Sequence, residues 1–369
     1  MNVVSKYILI CAGDIGGARA LIPVISELYT RGIKYKLINH GYLGENIPSN
    51  ISMGKMINNS FPSIEKLFDE GKIGIYLFAT SVKDKVALTW ARFAKDKKIS
   101  TFCLLDSSIR IKDRMQLDDK LPFYPDFMFL QDDESIECAM NDGFTRNNLI
   151  VSGQPALHNL LEDNNNWLKE NEKELLKRNK WIDERKLILF VSEPVKNDQG
   201  DSIKSQTYRG YIEEDVIAII CKYLQKYNEN VQIGILPHPR EDINNLNDIF
   251  HKYKDKLNFD IFHCSTGRDG ILFSDGIIGM ASILLYEAWL IGKPVISLQP
   301  NIINEDFLYL EKKKSMTVIK EEKEFKEFIP SWINTIYNNN KLLIRNDELL
   351  LHKNSASHIA SQLNNNLNR

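Results

Sequence analysis

The chain has few cysteines, no uninterrupted long apolar run and no excess of charge of one sign. Its 369 residues include five cysteines, with no Cys-x-x-Cys pair. This distribution argues against a disulfide framework or a cysteine zinc site and favours reduced thiols in a cytoplasmic protein. Lys and Arg number 47 and Asp and Glu number 49, so there is no overall positive field to attract nucleic acid. An anionic ligand would therefore need a local binding site.

The apolar segments do not have the form of membrane helices. The longest later stretch, residues 276–296, is interrupted by Glu287 and by glycines and contains Lys293-Pro294 near its end. A membrane helix needs about 20 unbroken apolar residues, and the opening run Tyr7–Ala12 is too short for a signal-peptide core followed by a cleavage site. We expect a cytoplasmic protein, and peripheral contact with the inner face of the membrane stays open.

Short runs rich in β-branched and aromatic residues alternate with longer segments of helical period. This alternation predicts an α/β fold in which parallel strands are covered by helices on both faces. The strands predicted in the first half are Tyr7–Ala12, Lys36–Asn39, Gly74–Ala79, Thr101–Leu105, Phe127–Leu130 and Leu149–Ser152. Those predicted in the second half are Lys186–Val191, Val231–Leu236, Asp260–His263, Ile271–Phe273, Gly276–Ile278, Val295–Leu298 and Met316–Ile319.

The two strand series predict two Rossmann-like domains that face a central cleft. The first domain covers residues 1–160, and the highly charged residues 161–185 form a linker. The second domain covers residues 186–340, and a C-terminal helical segment covers residues 341–369. The length of the chain agrees with two domains of the usual size.

A glycine-rich turn follows the first predicted strand, with Gly13, Gly16 and Gly17 around Asp14. Glycines let a ligand approach the backbone, and the N-terminus of the following helix favours an anion. The spacing matches neither G-x-G-x-x-G nor the P-loop, which disfavours a nicotinamide or ATP site. Asp14 is either a general base at the end of the strand or an N-cap of the helix.

The segment Pro237-His238-Pro239-Arg240 directly follows a buried predicted strand. Ligands of open α/β sheets bind beyond the carboxyl ends of strands, so His238 and Arg240 are candidates for contact with a phosphate. Arginine offers a fork of donors to phosphate, and a proton-bearing histidine stabilises charge on a departing phosphate. A single histidine at this position could also be structural.

A third candidate segment runs from Ala281-Ser282 through Glu287 to Gly292-Lys293-Pro294. Ser282 is predicted at a helix N-terminus, where its hydroxyl and the neighbouring N–H groups can bind phosphate. Glu287 lies on the same helix among apolar residues, where a carboxylate is unfavourable unless it is paired. It either binds ribose hydroxyls or pairs with a buried basic partner, with Lys293 or a core histidine as the plainer alternative.

Weaker candidates lie near other strand ends: Asp106, Gln154, Glu193, Tyr208 and Arg209. A capping or turn role explains each strand-end residue at least as well as a ligand contact. The remaining histidines lack metal-ligand spacing, and neither His-Glu-x-x-His nor Gly-x-Ser-x-Gly occurs. We therefore expect no metal and no hydrolase of these types.

Three of these segments together resemble a known architecture: Gly13-Asp14-Ile-Gly16-Gly17, Pro237-His238-Pro239, and Ser282 through Glu287 to Pro294. In this order the chain resembles the two-domain glycosyltransferases of the GT-B architecture. It is most similar to bacterial envelope-polysaccharide transferases with a His-Pro motif and a serine motif, including sialyltransferase-like and CDP-glycerol glycerophosphotransferase-like enzymes. The resemblance covers nearly the whole chain, but its motifs are short.

The resemblance implies transfer of a sugar from a CMP-, CDP- or UDP-linked donor to a glycan or lipid-linked acceptor of a surface polysaccharide. The second domain would hold the nucleotide, the first would hold the acceptor, and the C-terminal helix would pack back toward the first domain. Beyond the donor no cofactor or metal is implied, and a homodimer stays open. The implied catalytic residues are His238 with Asp14, or second Asp106, as the base. The implied nucleotide or phosphate contacts are Gly13, Gly16, Gly17, Glu193, Pro239, Arg240, Ala281, Ser282 and Glu287, and the implied acceptor or cleft residues are Gln154, Tyr208 and Arg209.

The non-hydrolysing UDP-N-acetylglucosamine 2-epimerases are similar as well, through a Gly-Lys-Pro-Val ending after a helix with paired glutamates. Here Tyr286 precedes Glu287, and the Arg-Pro-Glu signature expected after the first strand is missing. The epimerase is therefore the second interpretation. A non-catalytic nucleotide-sugar-binding subunit is an alternative from another class.

Overall fold

The computed structural model describes residues 6–117, 121–179, 184–313, 316–338 and 344–368. The chain forms two compact units, residues 1–159 with 347–369 and residues 160–346. Most of the predicted linker therefore belongs to the second unit. Residues 180–183 of that linker, and the predicted boundary between residues 340 and 341, lie outside the described residues.

The first unit is built on a parallel sheet with seven strands among the described residues, in the order β3-β2-β1-β4-β5-β6-β7. The strands are β1 (Tyr7–Cys11), β2 (Tyr35–Asn39), β3 (Met56–Asn58), β4 (Ile73–Ala79), β5 (Ser100–Leu104), β6 (Phe127–Leu130) and β7 (Leu149–Val151). The helices are α1 (Ile15–Thr30), α2 (Gly41–Asn46), α3 (Ser49–Ser52), α4 (Phe61–Asp69), α5 (Val86–Asp96), α6 (Ile111–Arg114) and α7 (Asp133–Asn141).

Both faces of this sheet are buried, which explains why its central strands are apolar at successive positions. Leu9 of β1 points into a core on the face covered by α4 and α5, whereas Ile8 and Ile10 point into a core on the face covered by α1. The neighbouring residues of one strand therefore supply two separate cores.

The second unit contains a parallel sheet with six described strands, in the order β10-β9-β8-β11-β12-β13. The strands are β8 (Lys186–Val191), β9 (Val231–Leu236), β10 (Phe259–Ile261), β11 (Gly276–Gly279), β12 (Val295–Leu298) and β13 (Thr317–Ile319). The helices are α8 (Leu160–Asn165), α9 (Lys169–Asn179), α10 (Val195–Gln199), α11 (Glu213–Leu224), α12 (Asn247–Tyr253), α13 (Gly267–Phe273), α14 (Ile283–Leu290) and α15 (Glu322–Tyr337).

The last helix, α16 (Asn346–Leu367), packs on the first unit. Its residues Ile359, Ala360 and Leu363 are fully buried in the same core as α1. Short 3-10 turns occur at Arg146–Asn148, Pro155–Leu157, Gln225–Tyr227, Ile243–Leu246, Glu305–Phe307 and Tyr309–Lys312.

Each sheet reverses its strand order once near the middle. In the first unit the chain adds β2 and β3 on one side of β1 and then β4 on the other, and in the second unit β8 has β9 and β11 as its two neighbours. The carboxyl ends of the strands at such a reversal are the usual ligand sites of open α/β sheets. The predicted α/β fold of two Rossmann-like domains with C-terminal helices is confirmed.

Two elements differ from the prediction. The predicted strand Ile271–Phe273 is wrong, because these residues form the end of α13. A capping box starts that helix: the Thr266 hydroxyl accepts from the Asp269 N–H, and the Asp269 carboxylate accepts from the Thr266 N–H at 2.9 Å. The short edge strand β3 was not predicted. Among the described residues, no helix combines the length and the apolar character needed to span a membrane.

Candidate functional site

Three adjacent strands of the second sheet carry the predicted nucleotide-site residues. Glu193 follows β8, His238 follows β9, and Ser282 follows β11, while the sheet orders these strands β9-β8-β11. Because parallel strands end at the same edge, the three residues share the edge at which the strand order reverses. The second unit thus brings the His-Pro and serine segments together.

Glu193 connects this edge to the interior of the unit. Its Oε2 accepts from the Ala281 N–H at 2.6 Å, and its Oε1 accepts from both terminal nitrogens of Arg209 at 3.3 Å. Arg209 is only 4% exposed and lies 3.8 Å from the centre of the Phe307 ring. The buried Arg209 guanidinium therefore fixes the position of the Glu193 carboxylate. Tyr208, the residue before Arg209, is half-buried. Contacts of Glu193, Ala281, Tyr208 and Arg209 with a ligand stay predictions.

The His-Pro segment is held by Glu241, a residue that the sequence analysis did not select. Its Oε2 accepts from the His238 N–H at 3.0 Å, and its Oε1 accepts from the Ser192 hydroxyl at 2.7 Å. Burial raises the pKa of Glu241, with hydrogen bonds from Ser192 and His238 opposing that rise. The carboxyl group therefore links the ends of β8 and β9 through the backbone N–H of His238 and the hydroxyl of Ser192.

The His238 ring is fixed in one protonation pattern. The Arg240 N–H donates to His238 Nδ1 at 3.2 Å, so Nδ1 must be unprotonated and the ring proton lies on Nε2. Burial, followed by the nearby Arg240 charge, lowers the pKa of His238 below its usual value. At neutral pH the ring is therefore uncharged and presents Nε2–H as a donor.

Arg240 and Pro239 lie on the exposed side of the same turn. The Arg240 guanidinium makes two 2.8 Å hydrogen bonds to the two oxygens of Asp198, and its side chain is 54% exposed. A phosphate would have to share or replace Asp198 to use this fork. The predicted phosphate contacts of Pro239 and Arg240 stay predictions.

Ser282 is the N-cap of α14, as its position in the sequence predicts. Its hydroxyl accepts from the Leu284 N–H at 3.3 Å. Glu287, five residues further on, is 7% exposed and accepts from Arg268 Nε at 2.9 Å. Arg268 also donates to Asp163 at 2.7 Å, so Glu287 belongs to an ionic network with a partly buried basic partner that the sequence did not identify.

In the first unit the glycine turn makes room for protein side chains. A Cβ atom at Gly13 would lie 1.5 Å from Asp84 Oδ2, and a Cβ at Gly16 would lie 2.2 Å from Asp106 Oδ2. At Gly17 it would lie 2.6 Å from the Ala79 side chain. Close packing thus explains the three glycines without a ligand, and their phosphate contact stays a prediction.

Asp14 and Asp106, the two predicted bases, have different surroundings. Asp14 occupies the N-cap position of α1 and is exposed, but its side chain makes no capping hydrogen bond. Asp106 accepts from Arg114 Nη1 at 2.9 Å, and its backbone carbonyl accepts from Gln154 Nε2 at 3.0 Å. Gln154 is 2% exposed, so in this conformation its side chain fixes the Asp106 loop. Its contact with an acceptor stays a prediction.

A histidine–aspartate pair lies beside Gly13 and was missed by the sequence analysis. His40 follows β2, Asp84 follows β4, and His40 Nε2 lies 2.6 Å from Asp84 Oδ2. The two residues are 44 positions apart, and neither lies in a motif. The only sequence signal is that His40 comes directly after a predicted strand.

The glycine turn offers a stability test. We expect Gly16→Ala to lower the free energy of unfolding by about 1–3 kcal/mol, because the new Cβ would overlap the Asp106 carboxylate. Urea unfolding measures this loss. The double variant Gly16→Ala/Asp106→Ala removes the overlapping oxygen and should be less impaired than the two single losses added together. A single variant as stable as the parent would contradict the packing.

Glu213, which accepts a hydrogen bond from the Lys196 N–H at 2.8 Å, makes the second unit sensitive to pH. It is 1% exposed, and burial, with a contribution from Glu214 and Glu241, raises its pKa to about 7. Between its ordinary value of 4.5 and about 7, the unfolded chain loses this proton while the folded chain keeps it. Folding stability from this group therefore falls as pH rises through that window. We expect Glu213→Gln to be more stable relative to the parent at about pH 8 than at about pH 5 in urea unfolding.

Among the residues that the structure describes, no group of three or more His, Cys, Asp or Glu side chains is arranged to hold a metal ion. Independence from a metal or other cofactor stays a prediction.

The two reversed parallel sheets and the helical C-terminus define the GT-B-like class of fold. No protein-family model and no curated protein sequence matches the chain. Among solved structures, it is similar to the UDP-GlcNAc 2-epimerase of Neisseria meningitidis bound to UDP-GlcNAc, with a TM-score of 0.66 and 15% identity over 97% of this chain and 99% of that one. It is also similar to Anabaena HepE in complex with UDP, with a TM-score of 0.60 and 13% identity over 97% and 95% of the two chains. The wall teichoic acid polymerase TagF aligns with a TM-score of 0.55 and 12% identity over 100% and 90%. At these identities the likeness shows the fold.

Proposed function

We propose that this protein is a cytoplasmic glycosyltransferase that moves a sugar from a CMP-, CDP- or UDP-linked donor to a glycan or lipid-linked acceptor of a surface polysaccharide. The observation that carries the proposal is that the ends of three adjacent strands are linked by hydrogen bonds at one edge of the second sheet. There, Glu193, His238 and Ser282 follow three adjacent strands, and hydrogen bonds through Ala281 and Glu241 hold the three strand ends together. Solved nucleotide-sugar enzymes of the same fold support it.

In this proposal the second unit binds the donor through its phosphates. The neutral His238 ring donates Nε2–H to an oxygen of the departing phosphate, and the Ser282 hydroxyl with the first N–H groups of α14 binds the same anion. Arg240 adds a positive charge to the phosphate site when its guanidinium binds the phosphate and Asp198 at the same time. The proposed mechanism requires no metal, because these donors can stabilise the charge that develops as the glycosidic bond breaks.

The nucleoside is bound through Glu287. Its carboxylate can accept from two vicinal ribose hydroxyls while Arg268 fixes its orientation. A carboxylate that is 7% exposed and already paired loses little conformational freedom when a ligand binds, so its position is preorganised.

The first unit binds the acceptor in this proposal. The acceptor hydroxyl needs a base, and Asp14 and Asp106 are the candidates from the sequence. The exposed side chain of Asp14 is accessible to an acceptor, whereas the Asp106 carboxylate forms an ion pair with Arg114. Peripheral contact of this protein with a membrane would bring it close to a lipid-linked acceptor.

A turnover assay tests the proposal. The purified protein is incubated with UDP-GlcNAc, UDP-glucose, CDP-glycerol or a CMP-linked sugar, with and without oligosaccharides of bacterial surface polysaccharides, and released nucleotide is measured. We expect one donor to release nucleotide in an acceptor-dependent way. Binding of a nucleotide without turnover of any donor would instead favour the non-catalytic nucleotide-sugar-binding subunit.

A 2-epimerase is the second candidate, because two UDP-GlcNAc 2-epimerase-like structures align better than the polymerase does. The Neisseria meningitidis enzyme and the putative UDP-N-acetylglucosamine 2-epimerase of Listeria monocytogenes give TM-scores of 0.66 and 0.65, against 0.55 for TagF. Epimerisation at C2 breaks the C2–H bond. Incubation of UDP-GlcNAc in D2O would therefore place deuterium at C2, which an NMR spectrum shows, whereas glycosyl transfer leaves that hydrogen in place.

A further inference from the structure

The His40–Asp84 pair of the first unit has the geometry of a proton-accepting dyad. The two side chains are 22% and 23% exposed, so the pair is partly shielded but open to a ligand. The pair lies at the edge where the first sheet reverses its strand order, since Gly13 follows β1 and Asp84 follows β4, the two strands at the reversal. This is the ligand edge expected of such a sheet.

The tautomer of His40 follows from its other neighbour. The Trp90 indole N–H is only a donor and contacts Asn59 Oδ1 at 3.0 Å, which turns the Asn59 amide nitrogen toward His40 Nδ1 at 3.4 Å. An amide nitrogen donates, so this contact indicates that Nδ1 is the unprotonated nitrogen. His40 therefore gives Nε2–H to Asp84 and keeps its basic lone pair on Nδ1.

Backbone and side-chain hydrogen bonds also fix the position of Asp84 in the dyad. Asp84 Oδ1 accepts from the Val86 N–H at 3.0 Å, and the Asp84 N–H donates to the Ser81 hydroxyl at 2.9 Å. Gly13 lies so close that no Cβ fits between it and the pair. The long contact of Nδ1 with the exposed Asn59 side chain is by contrast weak and easily replaced.

We propose that His40, positioned by Asp84, is the catalytic base that activates the acceptor hydroxyl; this rests on the proposed transferase function. The acceptor oxygen forms a bond to the anomeric carbon of the donor sugar, and the bond from that carbon to the phosphate oxygen breaks. Its electron pair leaves with the nucleotide. The hydroxyl proton goes to His40 Nδ1, and the imidazolium formed is stabilised by the Asp84 carboxylate until water removes the proton.

The first test compares variants in the nucleotide-release assay with the donor that the parent uses. We expect His40→Gln to lower kcat by about 100-fold or more, with nucleotide affinity within about twofold of the parent. Added imidazole should partly restore His40→Ala. Asp84→Asn should lower kcat as well, because an asparagine can donate to Nε2 and reverse the tautomer. His358→Gln, a histidine of α16 whose ring contacts the Gln362 amide, is the matched control and should retain parental activity.

A second measurement needs no substrate. In ¹H–¹⁵N spectra of histidine-labelled protein, with the signal of His40 assigned from His40→Gln, we expect a proton on Nε2 and none on Nδ1. A protonated Nδ1 in the folded parent would overturn the proposal, because no lone pair would then face the acceptor. Parental kcat in His40→Gln together with a large loss in Asp14→Asn would also overturn it and assign the base to Asp14.

These outcomes separate the dyad from the donor site. If no donor turns over and no nucleotide binds, the proposed transferase function fails, while the NMR spectrum still decides the tautomer. If nucleotide binds and turns over but His40→Gln is fully active, only the dyad fails.

Discussion

His238→Ala should lower turnover by about 100- to 1000-fold while the fold stays intact. In the proposed mechanism the ring presents Nε2–H where charge develops on the departing phosphate, and loss of one such donor typically has an effect of this size. Because Glu241 holds the backbone N–H of residue 238, alanine at that position keeps the turn in place. The measurement is kcat for nucleotide release, alongside circular dichroism of the variant.

The matched control is His251→Ala on the exposed side of α12 in the same unit, which should retain parental turnover. His238→Ala in a well-folded protein with near-parental kcat would remove His238 from the site. His238→Gln keeps an N–H donor on a more flexible side chain, so its kcat should lie between the values of His238→Ala and the parent.

Glu287→Ala should weaken nucleoside binding at least about tenfold, which corresponds to about 1.4 kcal/mol. The substitution removes the carboxylate that is proposed to accept hydrogen bonds from the ribose hydroxyls. It also removes one of the ion-pair partners of Arg268, so the variant should be less stable than the parent. Calorimetry with the bound nucleotide measures the affinity, and urea unfolding measures the stability.

The double variant Glu287→Ala/Arg268→Ala separates these two effects. Removing both side chains should recover part of the lost stability, since the partly buried Arg268 guanidinium no longer faces the site of its missing partner, although Asp163 then loses its own contact. It should not recover nucleotide affinity if Glu287 binds the ribose. An unchanged affinity in Glu287→Ala would return Glu287 to a purely structural role with Arg268.

The sequence was sufficient to predict the fold and the strand ends that bear the second-unit candidates. Buried parallel strands are apolar along their whole length, and this signal located β8, β9 and β11 within a few residues. Since all parallel strands end at one edge, placing Ser282 and His238 after their strands was enough to bring them together. The helix N-cap at Ser282 followed from the same local pattern.

The partners of these residues could not be predicted, because they are set by tertiary contacts between distant segments. Arg268 reaches Glu287 across 19 positions, and Asp84 reaches His40 across 44. Glu241 was overlooked although it is adjacent to Arg240, because its role depends on the neighbouring strand that bears Ser192. Residues Ile271–Phe273 are apolar like a short buried strand, but the capping box at Thr266 begins a helix that includes them.

The glycine turn shows a second limit of sequence reasoning. The sequence predicts that Gly13 and Gly16 leave room for a phosphate, and in the folded unit the side chains of Asp84 and Asp106 also lie close to these glycines. A glycine in sequence shows only that a neighbour comes close to the backbone. The structure is needed to identify that neighbour.

The central claim, a nucleotide site at the edge of the second sheet, is tested most directly by thermal unfolding of the parent and of Glu287→Ala with CMP, CDP, UDP and GDP. A ligand that binds only the folded state raises the melting temperature according to its affinity. We predict that at least one of these nucleotides stabilises the parent and that Glu287→Ala loses most of this shift. The absence of any shift in the parent at millimolar nucleotide, or an equal shift in both proteins, would contradict the proposed site.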